Sequence, residues 1–164
     1  ALITELVSLR TPGDPTWHFD IETTGRRDWR LLEFFFPLIQ FNLSPKIAAL
    51  VPGKEVDDHE FFSRTVPGIT SRYGSPRDAH VDQELTWALK VVVRQDQAEQ
   101  DMAAVREFCA KYNIPKDKTY LMPFGVHRDQ IIKESDFWID YCLANGYQFS
   151  PRMHVLIYDN RRLV

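Results

Sequence analysis

Residues 37–46 read PLIQFNLSPK. Apolar side chains alternate there with polar ones, which predicts a short buried strand. Pro45 ends that strand, because proline has no N–H group to donate to a sheet ladder. The strand therefore presents the Ser44 hydroxyl and the Lys46 ammonium at its carboxyl end. In sheets built from strand–helix units, ligands bind at this end, because the loops there carry the variable polar groups. A plain strand stop with a solvated Lys46 is the alternative interpretation.

The rest of the chain repeats this pattern of short strands separated by helices. Alternating, aromatic or β-branched apolar residues predict four more strands, at 17–22, 85–93, 119–122 and 152–158. Helical spacing predicts helices at 2–7, 28–36, 96–112 and 129–144, and Asn145-Gly146 suits a left-handed cap after the last of them. Strands joined through helices imply right-handed crossovers. The chain is therefore predicted to be an α/β protein with a largely parallel sheet of strand–helix units.

The carboxyl ends of parallel strands lie at one edge of the sheet, where the polar residues that end the predicted strands should meet. The residues predicted at this edge are Glu22, Ser44, Lys46, Gln95, the turn at 122–125 and, from the last strand, His154 or Tyr158. Plainer interpretations make Glu22 a strand end before a turn and His154 a hydrogen-bonded core histidine. Lys90 is more unusual, because a lysine inside a parallel strand must reach a carboxylate or the sheet edge.

Length and composition indicate one domain and exclude several classes of protein. A chain of 164 residues that is 44% hydrophobic can bury the core of a single globular domain, predicted to span 1–164. The formal charge of −3 includes no long run of like charge, so no nucleic-acid partner is expected. No apolar run approaches the roughly 20 residues of a membrane span, and no signal-peptide pattern opens the chain. Cys109 and Cys142 have neither a metal-ligand nor a disulfide spacing, which fits a reducing, cytoplasmic setting.

Two stretches of the chain depart from the regular pattern. Residues 47–84 combine Pro-Gly turns with scattered charges and are predicted to be an irregular insertion or lid, because structureless loops of this length are uncommon in compact domains. The chain also opens on Ala1, in the middle of a predicted helix, as if it were cut from something longer. The residue pattern alone identifies no reaction, since it contains no nucleophile–base pair, no phosphate-binding glycine loop and no metal-ligand cluster.

Five strand-end motifs, taken together, resemble those of a known enzyme family. They are FDIETTG at 19–25, LSPK at 43–46, LKVVV at 89–93, YLMPFG at 120–125 and QFSPRMH at 148–154. Their order and spacing resemble the second half of radical S-adenosylmethionine enzymes of the 7-carboxy-7-deazaguanine synthase family. The resemblance covers nearly the whole chain apart from 47–84. It implies that the parallel sheet is part of a partial (β/α)6 TIM-like barrel.

The resemblance also implies a site and a reaction. Contacts to S-adenosyl-L-methionine would come from Ser44, Pro45, Lys46, Met122, Pro123, Phe124 and Gly125, with Glu22 facing the cofactor's polar end and His154 near the substrate. The family often has QPMDG where this chain has LMPFG, so backbone contacts are expected from that turn. Family members are lyases that cleave S-adenosylmethionine with a 4Fe–4S cluster. They then contract the ring of the pterin-like substrate 6-carboxytetrahydropterin with the help of Mg²⁺, towards queuosine and related deazapurines.

The chain departs from the family in the part that would hold the cluster. The family's three cysteines in CxxxCxxC spacing and its glycine-rich strand end are absent, and two cysteines cannot supply three thiolates. The chain alone is therefore not expected to catalyse the reaction. It would be a fragment, a subunit that forms a homodimer or pairs with a chain carrying the cluster motif, or a degenerate relative. A non-catalytic binding or scaffold module, with 47–84 as its interaction surface, is the rival hypothesis.

Overall fold

The computed structural model describes residues 19–24, 39–45, 47, 50 and 87–161, which form an α/β unit around one parallel sheet. The strands are β1 (Phe19–Thr23), β2 (Ile39–Leu43), β3 (Trp87–Val93), β4 (Thr119–Pro123) and β5 (Gln148–Phe149). The helices are α1 (Ala98–Tyr112), α2 (Arg128–Asn145) and α3 (Met153–Tyr158), with 3₁₀ turns at Gln95–Gln97 and Lys116–Lys118. The strands lie side by side in chain order, from β1 to β5.

Most of the predicted elements within the described residues are confirmed. The strands predicted at 17–22, 38–43, 85–93 and 119–122 match β1 to β4, and the helices predicted at 96–112 and 129–144 match α1 and α2. The predicted left-handed cap is also confirmed, since Gly146 has φ 77° and its N–H donates to the Cys142 carbonyl at 2.9 Å. The helices predicted at 2–7 and 28–36 lie outside the described residues. So does the predicted insertion at 47–84, apart from Ile47 and Leu50.

The strand predicted at 152–158 is wrong. Residues Met153–Tyr158 form α3, and the last strand is the earlier pair Gln148–Phe149. Alternation would bury Met153, Val155 and Ile157 together, but only Val155 is buried, while the other two are each 55% exposed. A short apolar run fits either a strand or a helix by period alone, so the pattern was ambiguous. His154 and Tyr158 therefore lie on a helix that follows the sheet.

One face of the sheet carries the hydrophobic core. Strand residues on this face are buried, namely Phe41, Leu43, Trp87, Leu89, Val91, Val93 and Leu121. Both long helices pack against them, α1 through Met102, Val105 and Phe108, and α2 through Trp138 and Cys142. Successive side chains of a strand point to opposite faces, so every second residue of the central strand β3 enters this core.

The other face of the sheet carries polar side chains among apolar ones, since Ala88, Val92 and Met122 lie there together with Asn42, Lys90 and Tyr120. The parallel register pairs Glu22 with Asn42, Lys90 with Tyr120, and Tyr120 with Gln148, all out of phase with the core residues. Parallel sheets usually read as apolar on both faces, because helices cover both. The polar side chains on this second face are therefore a departure from the usual pattern, and they direct attention to the carboxyl edge of the sheet.

The Cys142 thiol is expected to make the fold less stable at alkaline pH. Burial raises the pKa of Cys142 from 9.0 to about 11, so the folded protein keeps a proton that the unfolded chain loses. Stability from this group is complete below pH 9.0 and declines as the pH rises towards 11. A pKa difference of this size corresponds to on the order of 2 kcal/mol. Urea unfolding at about pH 8 and about pH 10.5 measures the decline.

The matched variant for this prediction is Cys142→Ser. A serine hydroxyl can replace the thiol that donates to the Gln148 carbonyl at 3.3 Å, and it does not titrate in this range. Burial also raises the pKa values of Cys109 and Tyr147, whose contributions have the same sign. The variant should therefore show a shallower alkaline decline than the parent. Identical pH profiles would contradict the assignment to Cys142.

Candidate functional site

A cavity of about 700 Å³ lies at the carboxyl end of the strands, on the polar side of the sheet. Residues within or directly after every strand line it, from Glu22 on β1 to Ser150 after β5, and α3 adds Met153 and His154. This volume is typical of sites for small molecules. The position is also the one that open parallel sheets use for ligands, because the strand-end loops carry the variable polar groups.

The cavity brings together most of the residues predicted at this edge. Those that line it are Glu22, Ser44, Pro45, Met122, Phe124 and His154. Gly125 and Tyr158 line an adjoining cavity of about 440 Å³, and Pro123 is buried at the end of β4. Gln95 lies elsewhere, since its backbone N–H donates to Glu134 on α2 at 3.4 Å. Lys46 lies outside the described residues.

Glu22 and Ser44 form a polar pair where β1 and β2 end. The Ser44 hydroxyl donates to the Glu22 carboxylate at 3.3 Å, and the Ser44 backbone N–H donates to the Thr23 carbonyl at 2.8 Å. The sheet ladder thus continues for one residue beyond β2 and fixes the serine beside the glutamate. A carboxylate that is exposed at the rim of a cavity can accept hydrogen bonds from an ammonium or hydroxyl group of a ligand.

Arg94 is a cavity residue that the sequence reasoning missed. It directly follows β3 and lines the cavity, and its guanidinium forms a bidentate ion pair with Asp101 of α1. The Asp101 carboxylate is 1% exposed and also accepts the Arg94 backbone N–H at 2.8 Å. These hydrogen bonds to Asp101 raise the pKa of Arg94 above its ordinary value. The alternation of β3 could have identified Arg94, because it shares the phase of Lys90.

Lys90 lines the cavity from the central strand. It is half-buried, and its neighbour across the β3–β4 ladder is Tyr120. The pair Leu43 and Leu89 sets the register on the other side, so Ser44 and Lys90, one residue further along, are also neighbours. The lysine therefore reaches the cavity at the sheet edge. The sequence had required it to reach either this edge or a carboxylate.

The turn after β4 is held rigidly at the cavity mouth. The Phe124 backbone N–H donates to the Val93 carbonyl at 2.8 Å, and the Arg152 guanidinium donates to the Gly125 carbonyl at 2.7 Å. A Cβ atom at Gly125 would lie 2.9 Å from the Cδ1 atom of Ile131 on α2, closer than carbon atoms tolerate. A larger residue at Gly125 would therefore displace the Ile131 side chain, and the two hydrogen bonds fix the backbone of the turn.

Helix α3 is tied to the start of α2, which positions His154 beside the cavity. The Arg128 guanidinium donates to the carbonyls of Leu156 and Ile157 at 2.6 and 2.9 Å, where α3 ends. In return, Asp159 accepts the Arg128 backbone N–H at 2.9 Å, and this hydrogen bond lowers the pKa of the Asp159 carboxyl below its usual range. This reciprocal contact fixes a helix that is too short to be stable alone.

The donor atoms of the described residues do not fit an iron–sulfur cluster or a metal ion. Three or more His, Cys, Asp or Glu side chains nowhere converge in this part of the chain. Cys109 and Cys142 are both buried on the apolar side of the sheet, and burial raises their pKa values. Cluster ligands must be thiolates, which a raised pKa disfavours. Neither cysteine lines the cavity.

Comparison with known proteins finds no matching family model, no matching curated protein and no matching solved structure. Among the helices of the described residues, none combines the length and the apolar composition that crossing a membrane requires. Fold and site define the class: an α/β protein with a parallel sheet whose carboxyl edge opens into a small-molecule-sized cavity.

Proposed function

We propose that this chain is the carboxyl-terminal part of a radical S-adenosylmethionine enzyme of the 7-carboxy-7-deazaguanine synthase family. The reaction would convert 6-carboxytetrahydropterin to 7-carboxy-7-deazaguanine, in the biosynthesis of queuosine and related deazapurines. The observation that carries the proposal is the cavity of about 700 Å³ at the carboxyl edge. Its lining contains six of the residues that the sequence resemblance assigned to the cofactor and the substrate, including Glu22, Ser44 and His154.

The winding of the sheet supports a partial (β/α)6 barrel. The strands follow one another in chain order, and both long helices pack on the same face of the sheet. In (β/α) barrels the strands follow chain order and the helices cover only the outer face of the sheet. In doubly wound sheets the strand order reverses, and helices cover both faces. In a partial barrel the polar face, with Asn42, Lys90 and Tyr120, would be the interior. Polar side chains there would contact ligands rather than a second layer of helices.

The chemistry of the cavity suits S-adenosylmethionine. Glu22 and Ser44 offer an acceptor and a hydroxyl at one end, suited to the ammonium group of the methionine moiety. Phe124, 49% exposed at the turn after β4, offers an aromatic surface of the kind that stacks on adenine.

The cluster and the Mg²⁺ ion would need ligands from outside the described residues. When bound, a 4Fe–4S cluster supplies the electron that cleaves S-adenosylmethionine. Since the chain has two cysteines, the thiolates would come from another part of the natural protein or from a partner chain that carries the cluster motif. The cavity residues described above would bind and orient the small molecules.

A non-catalytic binding or scaffold module is the second candidate. The observation in its favour is that both cysteines are buried on the core side of the sheet, away from the cavity. Such a module would retain the cavity and bind a small molecule without cleaving S-adenosylmethionine. The two candidates differ in whether 5′-deoxyadenosine is formed.

Formation of 5′-deoxyadenosine from S-adenosylmethionine is the test. The natural gene product that carries this chain, reconstituted anaerobically with iron and sulfide and supplied with reductant, should form it. Ser44→Ala should raise the KM for S-adenosylmethionine by about five- to tenfold, because one cavity hydrogen bond is lost. Ser135→Ala is the matched control, since that hydroxyl donates to the Ile131 carbonyl within α2, away from the cavity. If the reconstituted protein forms no 5′-deoxyadenosine, the radical-enzyme proposal is excluded and the binding module is the remaining candidate.

A further inference from the structure

Lys90 carries a positive charge that no described residue balances. The ion pairs in the described part of the chain join Arg94 to Asp101 and His127 to Asp159, and neither includes Lys90. The lysine is half-buried in the central strand and lines the cavity. A charge in such a place costs free energy unless a counter-charge is supplied. Core packing does not explain it either, because Lys90 lies on the face opposite the core.

The rest of the lining leaves the cavity with an excess of positive charge. Among its described residues, Lys90 and Arg152 contribute two positive charges and Glu22 contributes one negative charge, while the charge of Arg94 is neutralised by Asp101. With His154 neutral, one positive charge remains. Arg152 uses one N–H group on the Gly125 carbonyl and retains four more that can donate. Lys90 lies on β3 and Arg152 follows β5, whereas Glu22 lies on β1.

We infer that Lys90, assisted by Arg152, binds the carboxylate of a small-molecule ligand in this cavity. A carboxylate would balance the one positive charge that remains among the described lining residues. The neighbour of Lys90 across the β3–β4 ladder is Tyr120. The identity of the ligand rests on the proposed function: the carboxylate belongs either to the methionine moiety of S-adenosylmethionine or to the pterin substrate.

Two pairs of probes distinguish these sources. The first pair is 6-carboxypterin and pterin, and the second is S-adenosylmethionine and its decarboxylated form, each pair differing only in the carboxylate. Dissociation constants are measured with the full chain, by pterin fluorescence and by equilibrium dialysis. Lys90→Gln should weaken binding of one carboxylated probe by about 10- to 100-fold, because a charged hydrogen bond is lost. Binding of its partner without the carboxylate should change by less than about twofold.

Two further variants separate charge from structure. Lys90→Arg keeps the positive charge and should retain the preference for the carboxylated probe. Lys133→Gln removes a charge from an exposed position on α2 and should leave all four dissociation constants unchanged. The inference is overturned if Lys90→Gln weakens both members of a pair equally, if it weakens none, or if the parent chain binds neither carboxylated probe.

Failure of this inference and failure of the proposed function give different results. In one outcome the reconstituted gene product forms no 5′-deoxyadenosine, while the chain still prefers a carboxylated probe in a Lys90-dependent way. That result would exclude the radical-enzyme proposal and support the carboxylate site. If the protein forms 5′-deoxyadenosine but Lys90→Gln does not change ligand binding, the radical-enzyme proposal is supported and the carboxylate site is excluded.

Discussion

Asp101→Ala is expected to lower the free energy of unfolding by about 3 kcal/mol. The Asp101 carboxylate is 1% exposed and accepts three hydrogen bonds from Arg94, one from its backbone N–H and two from its guanidinium. Removing it leaves those donors unsatisfied beside the core. Because the Arg94 side chain is 19% exposed and can partly rehydrate, the loss should fall at the lower end of the range for broken buried ion pairs.

The controls for this prediction separate hydrogen bonding from charge. Asp101→Asn keeps the size and one acceptor oxygen, so it should cost less than Asp101→Ala. Asp96→Ala removes a carboxylate from an exposed position just before the same helix, and its effect should stay within about 0.5 kcal/mol. Urea unfolding of the four proteins measures the differences. An alanine variant as stable as the parent would mean that Asp101 does not anchor α1 to the end of β3.

Periodicity was sufficient to predict four of the five strands, because burial on one face imposes a period of two. In β3 the residues Leu89, Val91 and Val93 are nearly inaccessible, while Lys90 and Val92 between them are half-buried. The same alternation was enough to predict that polar residues of different strands meet at one edge. The alternation could not predict the pairing of Arg94 with Asp101. An ion pair between a strand end and the following helix depends on how that helix packs against the sheet.

Periodicity failed where the element was too short to carry it. The run at Met153–Tyr158 has one buried residue, Val155, and a single buried position is compatible with a strand and with a helix alike. The helix is held by a long-range contact that the local pattern does not contain, the donation from Arg128 to the carbonyls where α3 ends. His154 was therefore predicted at the right edge of the sheet but on the wrong kind of element.

Trp138 gives the second large effect expected on stability. Its side chain is fully buried on α2, with its ring 5.1 Å from that of Phe137 and 5.6 Å from that of Tyr141. Trp138→Ala should lower the free energy of unfolding by about 3–5 kcal/mol, through lost burial and the cavity left behind. Its indole N–H, however, has no hydrogen-bond partner among the described residues. An unsatisfied buried donor is itself costly, by about 1–3 kcal/mol.

Trp138→Phe should therefore cost far less than its loss of volume suggests. Phenylalanine retains a ring that can pack against Phe137 and Tyr141, and it removes the unsatisfied N–H group, so the two effects offset each other. We expect a net change of less than about 1 kcal/mol, against the much larger loss for alanine. Urea unfolding of both variants measures the contrast. If phenylalanine destabilised the fold as much as alanine, the indole N–H would have to be satisfied after all, for example by a buried water molecule.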